Sequence, residues 1–192
     1  MLKDLILKNR SYRGFDESYM FTRGQMEAFI DAARFCPSSK NLQPLKFFAA
    51  YEKEDVDRIQ PLVHWAAQLP DIVLPHPGHC PTGFIVICQD TDISANLNMF
   101  QRDAGITAQT MLLLAAEEDL GGCMIGNFNA GELCSVLKLP ANIRPLLVVA
   151  LGKPDEKIVL TDVGQDGNTV YYRDENDVHY VPKRSLEDLM LN

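Results

Sequence analysis

No stretch of this sequence reaches the roughly 20 consecutive apolar residues that a membrane-spanning helix needs, so a membrane-embedded chain is not expected. Basic residues are outnumbered, 18 against 26 acidic, for a formal charge of -8. That balance argues against a general nucleic-acid or anionic-membrane surface, although it permits a local basic pocket. There is no Cys-x-x-Cys pair. The five cysteines (Cys36, Cys80, Cys88, Cys123 and Cys134) are odd in number, and several lie in apolar runs. Free thiols in a reducing cytoplasm are the expectation. His76, His79 and Cys80 crowd together, but two prolines, a glycine and the missing fourth ligand at a familiar spacing favour an irregular loop over structural zinc. No metal is expected. The opening MLKDLILKNR lacks both the apolar core and the small-residue cleavage site of a secretory signal, which fits a cytoplasmic location. Also missing are a Gly-x-Gly-x-x-Gly after a strand, a P-loop, a Gly-x-Ser-x-Gly and a His-Glu-x-x-His. Each absence removes a reaction class. The side chains offer little chemistry of their own, which points to a borrowed cofactor, with the protein supplying orientation and electrostatics.

What is present reads as one domain over 1–192. The length suffices for a single core, and 46% apolar residues is globular rather than disordered composition. The chain reads as organised around residues 103–128. From 104 to 116 nearly every side chain is small or apolar on all faces, so that helix is expected to be buried all round, inside the core or in a subunit interface. Gly121 and Gly122 are expected just past its end. The segment Cys123 to Phe128 follows, where Gly126 allows a flat ligand to approach backbone amides.

Around this centre, Leu2, Leu5 and Ile6 predict a short amphipathic helix ending before Asn9. Arg10 and Arg13 flank Ser11, a cluster able to hold a phosphate by charge-assisted hydrogen bonds or to form a solvated basic turn. Thr22 and Gln25 make a capping box for a helix expected to end at Cys36, before Pro37. Polar residues 38–43 then sit between Pro37 and Pro44, and the amides of Asn41 and Gln43 each carry a donor and an acceptor suited to the edge of a heterocycle. A strand is expected at 46–51, then a helix carrying Val56, Ile59, Val63 and Trp65 that tolerates or is kinked by Pro61. The apolar runs 84–88 and 146–151 read as central strands, with a short helix between them near 130–137. Turn signals at Asp166-Gly167 and at 175–177 frame a hairpin over 169–173 and 178–181. Alternating helices and strands give a layered α/β or α+β domain.

In combination, and in order, several of these stretches resemble the FMN-dependent nitroreductase superfamily. The matching residues are Arg10, Ser11 and Arg13 with Phe15; Pro37, Ser38, Ser39, Asn41, Gln43 and Pro44; Asp103, Gly105 and Gln109; Leu120 to Cys123 with Ile125 and Gly126; Gly152 and Pro154; and Lys183 with Arg184. The resemblance spans about residues 8 to 187. It implies an α+β fold with a mixed, mainly antiparallel central sheet flanked by helices, and a homodimer with the long helix at its interface. It also implies bound FMN in clefts made by both subunits. Arg10, Ser11 and Arg13, with Lys183 or Arg184, would meet the phosphate. Pro37, Ser38 and Ser39 would come from the partner, Asn41 and Gln43 would face the flavin, and the Gly126 amide would point toward flavin N5 with Ile125 and Asn127 beside it. The implied activity is ping-pong hydride transfer from NAD(P)H through the flavin to an electron-poor small molecule such as a nitroaromatic or quinone. Two further readings share these residues: other flavin chemistry on the same fold, such as reductive dehalogenation or flavin degradation, and a non-catalytic FMN-binding or FMN-sensing protein. The sequence departs from the family pattern at Asn9, where many members have a further arginine, and at Leu45, where an aromatic residue is common.

Overall fold

The computed structural model describes residues 1–192. The chain opens with helix α1 (Leu2–Lys8), the two-residue strand β1 (Phe15–Asp16) and helix α2 (Arg23–Ala33), then strand β2 (Leu45–Ala50) and helix α3 (Lys53–Ile59). Strand β3 (Gly83–Asp90) leads to the 17-residue helix α4 (Gln101–Glu117), strand β4 (Gly121–Ile125) and helix α5 (Ala130–Val136). The long strand β5 (Ile143–Pro154) is followed by β6 (Ile158–Asp162), β7 (Tyr172–Arg173), β8 (His179–Lys183) and a last helical turn, α6 (Leu186–Leu189).

The two continuous apolar runs become neighbouring antiparallel strands, with Ile85 opposite Val149 and Val86 opposite Val148. On the far side of β3 lies β2, and the other edge of β5 carries β4 and then β1, so this five-stranded sheet is antiparallel throughout. Side chains alternate across a strand. Ile85, Ile87, Val149 and Leu151 therefore pack with residues of α2 and α4, while Phe84, Val86, Val148 and Ala150 pack with α3 and α5. A strand buried on both faces has no polar alternation, which is why these two read as unbroken apolar runs. The parallel pairing lies outside this sheet: β8 pairs with β6 in parallel and with β7 in an antiparallel hairpin. The fold is thus α+β with a helix-flanked antiparallel sheet. No helix is long and apolar enough to cross a membrane.

Several expectations need correction. The 46–51 strand is an edge strand running Leu45–Ala50, mostly half-buried because only β3 pairs with it. The helix ahead of Pro37 ends at Ala33 rather than Cys36. Pro61 does not kink α3 but opens a short 3-10 turn at Gln60–Leu62, so Val63 and Trp65 fall outside the helix. Within one chain helix α4 is not covered by the core alone, since Ile106 is 40% exposed and Gln109 is open beside half-buried Gly105 and Leu113; the subunit-interface half of the expectation stands open. Nor do Gly121 and Gly122 cap α4. The left-handed residue after the helix is Asp119, at φ 60°, and both glycines are strand residues in β4. They are needed for close approach: a Cβ on Gly122 would lie 2.1 Å from the Ala150 carbonyl oxygen, and one on Gly121 would lie 2.5 Å from the Tyr12 ring.

Candidate functional site

That close approach builds the first part of the site. Residues 11–12 run alongside β4, with Ser11 bridged to Gly122 and the Tyr12 N–H donating to the Gly122 carbonyl at 3.0 Å. Arg10, Ser11 and Arg13 are thereby set on the rim of a cleft of about 440 Å³, with Gln109 and Leu112 of α4, Met124 of β4 and Lys183 of β8 also on its walls. None of the 13 residues around it is acidic, in a chain holding 26 carboxylates. The Arg10 guanidinium donates through Nη2 to the Ile6 carbonyl at 2.6 Å, yet its Nε is buried without a partner. A buried donor left unmet is costly.

The C-terminal sheet forms the opposite wall with Ile158, Tyr171, His179, Val181 and Lys183. Glu156 anchors it. Its carboxylate accepts from the Arg13 backbone N–H and from Arg173, the two side chains of that ion pair being 3% and 2% exposed. The Arg13 guanidinium lies 4.9 Å from the Tyr171 ring centroid and 3.4 Å from His179 Nδ1. The imidazole pKa is pushed down to about 4 by burial first, then by the Arg13 and Arg173 charges. Arg184 is exposed and does not line the cleft; Lys183 does.

The polar loop before Pro44 is held elsewhere. Asp103, 3% exposed in the first turn of α4, accepts from Ser38 Oγ (2.8 Å), Ser39 N–H (2.8 Å) and Ser39 Oγ (2.9 Å). Burial alone would raise its pKa, but these three donors outweigh burial and hold it below the ordinary value. The Gln43 N–H in turn donates to Ser38 Oγ at 3.1 Å, and Gln43 Nε2 donates to Asn41 Oδ1 at 3.1 Å. Lys40, Asn41 and Gln43 all adopt positive φ, conformations that persist only where surroundings impose them. The groove here, about 140 Å³, is lined by Pro37, Ser38, Gln43, Leu45, Asp103 and Thr107 among others.

Cleft and groove share no lining residue. Both use α4, but at about 100° per residue, Gln109 and Leu112 project from roughly the opposite side to Asp103 and Thr107. Within one chain the structure therefore gathers Arg10, Ser11, Arg13 and Lys183, and separately Pro37, Ser38, Ser39, Asn41 and Gln43. Gly126 and Asn127 are exposed just past β4. Ile125 is 4% exposed and packs on the α3 and α5 face, so Met124, not Ile125, presents its side chain to the cleft.

Sequence reasoning did not find Tyr171, His179, Glu156 or Arg173. The only signal was a histidine at an inward-facing position of the 178–181 strand. His76, His79 and Cys80 gather no common ligand: His76 faces Asp177, His79 faces Asp155, and the Cys80 N–H donates to Glu17. All five cysteines are free thiols.

Comparison with known proteins bears on this arrangement. A family model described as the nitroreductase family matches residues 6–153. A curated relative, the NADPH-flavin oxidoreductase of Vibrio harveyi, is 28% identical over 161 residues. The match takes in 80% of this chain but 65% of the relative, so the chain spans just under two thirds of that relative's length. Among solved structures, a nitroreductase family protein from Clostridium novyi NT aligns over 98% of both chains with a TM-score of 0.64 at 21% identity. An FMN-dependent nitroreductase from Clostridium difficile R20291 aligns over 80% of this chain and 87% of its own, with a TM-score of 0.63 at 23% identity.

Proposed function

The chain belongs to the nitroreductase family, and on that premise we propose that residues 1–192 form one FMN-binding domain of a homodimeric oxidoreductase. NAD(P)H is its reductant and an electron-poor small molecule, such as a nitroaromatic or quinone, its acceptor, in ping-pong order. The observation that carries the reading is the acid-free cleft in which the Arg10 Nε–H is buried without an acceptor.

FMN fits what is there. Its phosphate needs several donors and positive charge, which Arg10, Ser11, Arg13 and Lys183 offer together. The cleft volume lies within the range of small-molecule sites, and Leu112 and Met124 give it an apolar floor. When bound, FMN supplies two-electron chemistry through flavin N5, which the chain's own side chains lack. The backbone N–H of exposed Gly126, with Asn127 beside it, is assigned to the ring.

The two sides of α4 support the homodimer reading. Cleft and groove share no lining residue and open on different sides of α4, so Pro37, Ser38, Ser39, Asn41 and Gln43 are assigned to the flavin bound by a second copy. The open stripe at Ile106 and Leu113 is the apolar surface that such an interface would cover. The roles of the chain are then to bind the phosphate, to offer amide donors and acceptors to the ring edge, and to restrict water over the flavin.

The test is the visible spectrum of the purified protein supplied with FMN, taken before and after anaerobic NADH or NADPH. Bound flavin that either nucleotide bleaches, and that a quinone then restores, is the expected result. Flavin that binds but resists both nucleotides would overturn the oxidoreductase reading, and absence of flavin binding would overturn the cofactor.

A further inference from the structure

We propose that His179, on β8 and outside the family match, is a specificity-determining ligand of the cofactor's anionic end, donating its Nε2–H to the FMN phosphate. This rests on the FMN reading above and adds a residue to it.

The tautomer follows from contacts. His179 Nδ1 faces Arg13 Nη1 at 3.4 Å. A guanidinium has donors only, so Nδ1 must present its lone pair, and the ring proton sits on Nε2. The imidazole stays neutral near pH 7, since burial and the Arg13 and Arg173 charges push its pKa down to about 4. His179 is 1% exposed and lines the cleft, and its Nε2 is buried with no hydrogen-bond partner. Buried polar groups almost always have partners. An orphaned donor in an acid-free cleft, beside Arg10, Ser11, Arg13 and Lys183, calls for an anionic oxygen.

The ring is also held in place. The His179 backbone N–H donates to the Lys157 carbonyl at 2.9 Å. Tyr171 packs edge-on with a centroid distance of 5.2 Å, while its face receives Arg13. Arg10, Arg13 and Lys183 supply charge and attract any anion. A neutral, fixed N–H adds direction without further charge, and so discriminates by position. It rewards a phosphate at one place along the cleft and gives nothing to a flavin that lacks one.

The test compares FMN and riboflavin, titrated by flavin fluorescence into the purified full-length protein freed of flavin. A hydrogen bond to a charged group corresponds to about ten- to a hundredfold in affinity. His179→Phe is expected to weaken FMN by that factor and to leave riboflavin unchanged, and His179→Gln, which keeps an N–H, should recover part of the loss. Equal losses for both flavins would mean a structural role, and no loss for either would mean no contact; each overturns the proposal. Nitrogen-15 NMR of the wild-type imidazoles guards against a variant that misfolds. The Nε2–H tautomer should be seen at neutral pH, with its proton shifting downfield on adding FMN, and the Nδ1–H tautomer or an unmoved proton would overturn the assignment. Failure of the wild type to bind FMN would instead sink the cofactor reading. The same proton titrated with inorganic phosphate would then judge the anion contact alone: a shift supports it and no shift overturns it.

Discussion

The central sheet and the C-terminal three-stranded sheet are held by opposite means. Ile85, Ile87, Val149 and Leu151 on one face, and Phe84, Val86, Val148 and Ala150 on the other, are buried apolar side chains that tolerate no water. The C-terminal sheet instead rests on Glu156, Arg173, His179 and Tyr171, with Arg13 reaching across to all but Arg173. Apolar burial is non-directional and makes a rigid platform. Hydrogen-bonded charges are directional and fix where a few atoms stand, at the risk of a large penalty if one partner is lost. The acid-free cleft lies on the seam between the two.

The sharpest way to break this contrast is Arg173→Met. Removing one partner of a buried ion pair costs about 3 to 5 kcal/mol, and here it would leave the Glu156 carboxylate with the Arg13 N–H alone. The expected result is a large loss of stability in urea, with hydrogen exchange rising first in β7 and β8 and only later in β3 and β5. Uniform exchange across both sheets would mean that they are one cooperative unit without the contrast drawn here. Leu151→Ala is the counterpart in the apolar half. Truncating a buried leucine costs about 2 to 5 kcal/mol, but at equal destabilisation it should leave the FMN-to-riboflavin affinity ratio at its wild-type value.

Asp103→Ala comes next. Its three hydrogen bonds hold the loop of Ser38 and Ser39, and one bond to a charged group contributes about 1.5 to 3 kcal/mol, so the loss in urea melts should be about 3 kcal/mol. Asp103→Asn, which keeps an acceptor, should lose less. Equal stability of all three proteins would mean that the loop is shaped by its own sequence.

The last effect is one of pH. With the His179 pKa near 4 in the folded chain and about 6.5 when unfolded, the unfolded chain binds a proton that the folded one refuses. Stability should therefore fall as pH drops from about 6.5 toward 4, and level off for this group below that. Arg13, Arg173 and Asp177 are the charges acting on the ring. Urea melts across this range should show a shallower pH slope for His179→Phe than for wild type; identical slopes would mean the imidazole titrates normally.

The same contrast explains what could be read from the sequence. Strands β3 and β5 announce themselves by composition, and the capping box of Thr22 and Gln25 forms as expected, because these signals are local. The Glu156–Arg173 pair spans 17 residues with no periodicity, and the Asp103 contacts reach back 64 and 65 positions. Such pairings become visible only once the chain is folded. The parallel pairing of β6 with β8 was hidden for a related reason: a short half-exposed strand resembles a loop. Gly121 and Gly122 failed differently. Glycine serves both as a helix terminator and where two backbones must touch, and sequence does not say which use applies. The Arg10, Ser11 and Arg13 cluster was legible, but the wall that completes its cleft lies more than 140 residues later.

The opposite orientation of Asp103 and Gln109 on α4 has a genetic consequence. In the proposed homodimer, suppose one copy carries Arg10→Ala and the other Asp103→Ala, each expected to weaken flavin binding at both sites of its own homodimer. A hybrid of the two then holds one site with both defects and one with neither. Two disabled alleles expressed together would restore flavin to half of the hybrid's sites. If cleft and groove served the same flavin within one chain, the mixture would bind flavin as weakly as its parents.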